Sequence, residues 1–147
     1  MRISDVLNIG QASLVTITPD TQLVEAAKIL RDNGIGVVVA VDASGRPVGI
    51  LSERDITRAV ADNCDQDCQA LSGATVADYM SDNVVVCEVT EDPQTAIWLM
   101  AEYGIRHLPI TNRGKLHGMV SSRDVLKVMA DLPLFQPKTS VAASVTL

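Results

Sequence analysis

The feature that most limits how these 147 residues can fold is an internal duplication. "GILSERDITRAV" (49–60) returns as "GMVSSRDVLKVM" (118–129), so Gly49 and Gly118, like Asp55 and Asp124, stand 69 positions apart. Self-similarity at a fixed period is the mark of a repeated supersecondary unit. The correspondence runs upstream. "RDNGIGVVVAVDASGRPVG" (31–49) aligns with "MAEYGIRHLPITNRGKLHG" (100–118) after a one-residue gap in the turn. "LVEAAKIL" (23–30) matches "PQTAIWLM" (93–100), and "ISDVL" (3–7) matches "VADYM" (76–80). Two halves of about seventy residues follow one another in the same order.

Within a half the elements follow from apolar spacing. Residues 14–17 (LVTI) and 84–87 (VVVC) are short β-rich runs. Leu23, Ala26, Ala27 and Leu30 recur at helical spacing over 21–33, and Gly34 follows as a helix C-terminal residue. VVVAV (37–41) reads as a buried strand, DASGR (42–46) as its turn and PVGIL (47–51) as the returning strand. Ser52 then opens a helix with Ile56, Ala59 and Val60 on its apolar face. The second half predicts the same series: helix 93–103, strand HLPIT, turn NRGK, strand LHGMV and a helix from Ser122. The expected fold class is therefore α/β of the α+β type, with two β-α-β-β-α repeats. Each alone is too small to bury its apolar faces, so the two pack with pseudo-two-fold symmetry. The boundaries read as 1–61 for the first repeat, 62–75 for a polar linker, 76–131 for the second repeat and 132–147 for a C-terminal tail.

Composition removes several function classes. The net charge is −6 and there is no run of Lys or Arg, while the aromatics are only Tyr79, Trp98, Tyr103 and Phe135. That is not a nucleic-acid footprint. No apolar run reaches the ~20 residues of a membrane span. The N-terminus lacks an apolar signal core, and three cysteines (Cys64, Cys68, Cys87) cannot all pair within one chain. Both points favour a reducing, cytoplasmic setting. Neither histidine, His107 nor His117, lies at zinc-site spacing from the cysteines, so no metal is expected. "GIGVVV" (34–39) precedes a strand rather than following one, which rules it out as a dinucleotide fingerprint. No Ser-His-Asp set, activated cysteine or P-loop is present, so an enzyme is not expected.

The tandem repeat closed in each half by "GILSERDI" and "GMVSSRDV", with "GIRHLPI" (104–110) before the second hairpin, resembles a pair of CBS domains, the Bateman module. The resemblance covers Ile3 to about Ala130 and rests on the G-h-h-[ST]-x-x-D motif found twice in register. It implies adenosine-containing ligands (AMP, ADP or ATP, NAD-like molecules or S-adenosylmethionine) in two clefts between the halves. It also implies a homodimer that regulates a protein effector. No effector domain is read within these residues.

By that resemblance Asp55 and Asp124 hold ribose, and Ser52 and Ser121 face phosphate. The same residues are also a helix cap, with Ser accepting from the N3 amide and the N3 carboxylate answering the N-cap amide. Cap and ligand site are compatible. A cap does not need an arginine at the third position, yet Arg54 and Arg123 recur there, and guanidinium is the usual fork for phosphate oxygens. Arg106 and His107 add cationic groups in the second half, where the first half has Gly36 and Val37, so both clefts are expected, with unequal phosphate binding. The resemblance gives the Asp124 cleft an adenine slot of Leu14, Val15, Ile35 and Met119, and the Asp55 cleft one of Val84, Val85, Ile105 and Ile50. Each of these residues reads equally as core. Two functions remain in view: an adenosine-ligand sensor, and a structural or interaction dimer whose clefts bind no nucleotide.

Overall fold

The computed structural model describes residues 1–9, 14–65 and 67–131. The C-terminal tail read at 132–147, like Gln66 and residues 10–13, lies outside the described residues. Among the described residues, six α-helices and two three-stranded sheets follow the duplicated order. The first half holds α1 (Ile3–Ile9), β1 (Thr16–Ile17), α2 (Leu23–Asn33), β2 (Val37–Val41), β3 (Pro47–Ser52) and α3 (Glu53–Asn63). After a 3-10 turn over Gln69–Gly73, the second half holds α4 (Val76–Tyr79), β4 (Cys87–Glu88), α5 (Pro93–Tyr103), β5 (His107–Asn112), β6 (Lys115–Ser121) and α6 (Ser122–Ala130). Each repeat is thus the expected β-α-β-β-α preceded by one short helix.

The two sheets are ordered β1-β2-β3 and β4-β5-β6, with a parallel first pair and an antiparallel second pair in each. The predicted opening strands are shorter than their β-rich sequence. β1 pairs only through Thr16 and Ile17, and β4 only through Cys87 and Glu88. Leu14 and Val15 therefore leave the ladder before the sheet begins. Both hairpins carry a one-residue irregularity, where Ala40 faces Gly49 but Val41 faces Pro47, and Ile110 faces Gly118 but Thr111 faces Leu116. The extra residues are Val48 and His117. A bulge of this kind re-aims side chains at the strand's end.

The short leading helices are exchanged between the halves. Ile3 and Val6 of α1 are buried in the core of the second repeat, with Cys87, Leu108, Ile110 and Val120. Val76 of α4, with Ala74, is buried in the core of the first repeat, among Ile17, Leu23, Val38 and Leu51. Gly49 and Gly118 make this crossing possible. A Cβ on Gly49 would stand 2.2 Å from Met80 Sδ, and one on Gly118 would stand 2.8 Å from Leu7 Cδ2. The hairpin tips also meet, through Leu116 N–H donating to Gly45 O at 2.9 Å.

The stretch 62–75, read as a linker, carries structure of its own: α3 runs through Asn63, Leu71 of the 3-10 turn packs on the first core, and Ala74 is buried. Two other expectations are corrected. Cys64 and Cys68 are joined in a disulfide, and Cys87 is free and buried, so the cysteine count no longer argues for a reducing setting. Burial, and then the nearby Glu91, Asp92 and Glu88, push the Cys87 thiol up to about 11. Val60, assigned to the apolar face of α3, is exposed, whereas Ala59 is buried. Among the described residues no helix is long and apolar enough to cross a membrane, and no group of three or more His, Cys, Asp or Glu side chains could hold a metal ion.

Candidate functional site

β6 ends at Ser121, whose extended backbone (φ −96°, ψ 159°) turns the chain into α6 as its N-cap. Ser121 Oγ accepts the Asp124 N–H at 3.2 Å, and Asp124 Oδ2 accepts from Ser121 N–H at 2.8 Å and from Ser121 Oγ at 2.6 Å. The hydroxyl's one proton is therefore held by the aspartate. Both bonds to the carboxylate fall on Oδ2. Among the described residues no donor or cation is bonded to Oδ1.

A cleft of about 920 Å³ opens beside this carboxylate. The four residues predicted for an apolar slot, Leu14, Val15, Ile35 and Met119, all line it, and so do His107, Ser121, Arg123 and Asp124. Arg106 is exposed and is not a lining residue, though its carbonyl accepts the Ser122 N–H at 2.8 Å. Six side chains were missed as site residues: Ser4, Leu7, Val37, Val38, His117 and Lys127. Lys127 was legible, because it follows Arg123 by four residues and so shares its helix face. His117 was not, because the bulge makes it the extra residue of β6. Ser4 and Leu7 arrive through the exchanged helix, which local pattern does not reveal.

The charge of the cleft is opposite to that of the chain. Arg123 and Lys127 are exposed along its rim beside the carboxylate of Asp124, in a protein of net charge −6. His107 is half-buried, and its pKa is lowered from 6.5, first by burial. The Asp124 carboxylate opposes that shift and Arg106 adds to it. The imidazole is therefore neutral near pH 7 and takes a proton more readily once an anion stands beside it.

The Asp55 side repeats the cap. Asp55 Oδ2 accepts from Ser52 N–H at 2.7 Å and from Ser52 Oγ at 3.0 Å, and Ser52 Oγ accepts the Asp55 N–H at 3.4 Å. Here Oδ1 is engaged as well, by Arg58 Nη1 at 3.5 Å. Ile50 and Ser81 exchange two backbone bonds of 2.9 Å, which lays the chain after α4 along β3. Val85 and Ile105 pack against the second core, Val84 is half-buried and Arg54 is exposed. Neither of the two cavities described is lined by Ser52, Arg54 or Asp55, or by Ile50, Val84, Val85 or Ile105.

A duplicated α+β unit with exchanged leading helices, and a cleft lined by both halves, defines a tandem-repeat module. The CBS domain matches residues 3–62 and 76–131, and the chain belongs to the CBS-domain family as a tandem pair. Two curated relatives carry no assigned function. A 17.7 kDa protein of Acidianus ambivalens is 37% identical over 134 residues, covering 89% of this chain and 76% of its own length. Protein MK0525 of Methanopyrus kandleri is 34% identical, and the match covers 87% of this chain and 64% of that protein. Among solved structures, the CBS-domain protein ATU1752 from Agrobacterium tumefaciens is 34% identical with a TM-score of 0.74, covering 88% of this chain and 99% of that one. The CBS domain pair of protein MJ0100, solved in complex with 5′-methylthioadenosine and S-adenosyl-L-methionine, is 26% identical with a TM-score of 0.74, covering 88% and 96%.

Proposed function

We propose that this chain is a regulatory module that binds one anionic adenosine ligand, an adenine nucleotide, in the Asp124 cleft. The observation that carries this reading is the state of the two aspartates. Asp124 has its cap on Oδ2 and, among the described residues, no partner on Oδ1 beside the cleft, whereas both oxygens of Asp55 are engaged. A free carboxylate oxygen at a helix start can accept a ribose hydroxyl, as in dinucleotide sites. Leu14, Val15, Ile35 and Met119 offer an apolar slot to the base, and Arg123 and Lys127 offer charge to the phosphate. Ser121 contributes by fixing Asp124, since its proton is already given. The bound adenosyl ligands of the MJ0100 pair support the ligand class. Regulation follows if the ligand binds one geometry of the module better than another, because only that difference shifts a population.

The test is a titration with AMP, ADP, ATP, NAD and S-adenosylmethionine, followed by calorimetry and thermal melting. An adenine nucleotide is expected to bind once per chain, and at a hundred times its Kd to add about 2.7 kcal/mol of stability. Asp124→Ala should abolish binding and Asp55→Ala should leave it. Equal losses in both variants, or no response to any adenosyl compound, would overturn the proposal.

A second reading, an interaction module that assembles with another copy or an effector, is favoured by Trp98 on α5 and Leu126 on α6. These lie on contacting helices and are 59% and 64% exposed. Light scattering of the parent and of a Trp98→Ser/Leu126→Ser variant tests it. A dimer lost in the variant supports a second copy as the occupant, and a monomeric parent excludes one.

A further inference from the structure

The Cys64–Cys68 disulfide lies where two features converge. Cys64 closes α3, its N–H donating to Val60 O at 3.0 Å, and Cys68 is the residue before the 3-10 turn, its carbonyl accepting the Leu71 N–H at 3.1 Å. Cys64 is half-buried and Cys68 is exposed. The third cysteine, Cys87, sits in the other repeat's core and takes no part.

From Cys68 onward the chain is fastened to the first repeat step by step. Leu71 packs on its core, and Ala74 O accepts the Leu23 N–H at 2.9 Å. Val76 N–H donates to Thr21 O at 2.9 Å and Ala77 N–H to Pro19 O at 2.9 Å. Met80 then covers Gly49, and Ser81 pairs with Ile50, two residues before the Ser52 cap. The disulfide is the covalent end of a strap whose other end lies on β3 beside the Asp55 cap.

We infer that Cys64–Cys68 is a reversible thiol–disulfide exchange site, open to small thiols, that sets how firmly this strap is held. Exposed disulfides are the labile class, and closing so short a loop contributes little to the core, so the bond can open in the folded chain. The chemistry balances with a monothiol of the glutathione class. One thiolate attacks Cys68 Sγ, the S–S bond breaks, and the Cys64 thiolate leaves and takes a proton. A second thiolate attacks the small-molecule sulfur of the mixed disulfide and releases Cys68. The protein gains two electrons and two protons, and the two monothiols leave as their disulfide. Reduction frees the 3-10 turn from the end of α3 and loosens 69–81 along β3. The other repeat, cored by Cys87, is untouched.

The inference does not require a bound nucleotide, and its test uses none. The whole chain is equilibrated across ratios of reduced to oxidised glutathione, alkylated and weighed, with circular dichroism and amide hydrogen exchange read at each ratio. A gain of two alkyl groups is expected as the ratio rises, with an unchanged far-ultraviolet spectrum. Protection should be lost in 69–81 and at Ile50, and kept in β5 and β6. A Cys64→Ser/Cys68→Ser variant should show the reduced pattern at every ratio. Cys64 and Cys68 found as free thiols in the air-oxidised chain, opening only with global unfolding, or unchanged protection of 69–81 after reduction would each overturn it.

Discussion

Asp55 and Asp124 occupy equivalent places with equivalent caps, and what separates them is one neighbour. Arg58 and Lys127 are counterparts one turn into their helices, yet Arg58 reaches its aspartate while Lys127 lines the cleft. Cap and ligand roles can be pulled apart by substitution. Ser121→Ala removes both the cap and the hydroxyl that fixes Asp124, and is expected to cost about 1 kcal/mol of stability and to weaken nucleotide binding. Ser52→Ala should cost the same with no change in affinity at all. Urea denaturation and calorimetry on the two variants check both halves of that statement. His107 supplies the pH dependence. Its folded pKa lies below the unfolded value of 6.5, so the unfolded chain takes the proton first as pH falls. Stability is therefore unaffected above that value, declines as pH falls through it, and levels off below the folded pKa. His107→Asn should remove this part of the pH dependence, measured as the difference between the two stability curves from pH 8 to 5. The same imidazole makes anion binding take up a proton, so nucleotide affinity should rise as pH falls through the same window, and His107→Asn should flatten that rise.

At the level of elements, the glycine of each repeated motif has a purpose distinct from the serine and aspartate that follow. Gly49 and Gly118 stand where a side chain of an exchanged helix, Met80 or Leu7, presses on the strand. Gly49→Ala drives a Cβ into Met80, and overpacking of this kind costs about 1–3 kcal/mol. The obstacle is the flexible end of one side chain, so Met80→Ala should relieve it. The double variant is then expected to be less destabilised than the sum of the singles, a coupling read from a double-mutant cycle by urea denaturation. This role was not legible in the sequence, where glycine, serine and aspartate read as one motif. The helices, hairpins and caps were legible, because each is written in local spacing: apolar residues at helical period, Gly34 past α2, and Ser-x-x-Asp at two helix starts. The failures share a cause. β1 and β4 are short because their only partners, β2 and β5, meet them over two residues each, and His117 is aimed by a bulge. Propensity carries no information about a partner strand's reach. The apolar residues of the Asp124 slot were readable only as a set, through the resemblance. Core packing does not separate the two slots: Val15 and Ile35 pack against the first core just as their counterparts at the Asp55 side, Val85 and Ile105, pack against the second.

Over the whole molecule, the exchange of α1 and α4 explains why two small repeats fold as one body. Each repeat lacks part of its core until the other half's leading helix supplies it. Ile3, near the start of the chain, is fully buried in the core of the second repeat, and Val76, which opens the second half, is fully buried in the first. Sequence order would assign each to its own half. The physical arrangement reverses that, and it places Ser4 and Leu7 in the wall of a cleft whose carboxylate comes from residue 124. The Asp124 cleft, the proposed nucleotide site, is thus coupled to the exchange, since Asp124 and the helix that walls it are held by the same core. Truncating each anchor tests the arrangement directly. Ile3→Ala should cost about 2–5 kcal/mol, the usual range for a buried large-to-small change. Its effect on native-state hydrogen exchange should fall on β5 and β6, more than a hundred residues along the chain, before β2 and β3. Val76→Ala should show the reverse, with β2 and β3 losing protection first. Ile3→Ala should also weaken nucleotide binding more than Val76→Ala does, because it loosens the wall of the Asp124 cleft. Protection lost within each anchor's own half of the sequence would mean that the helices return to their own repeats in solution.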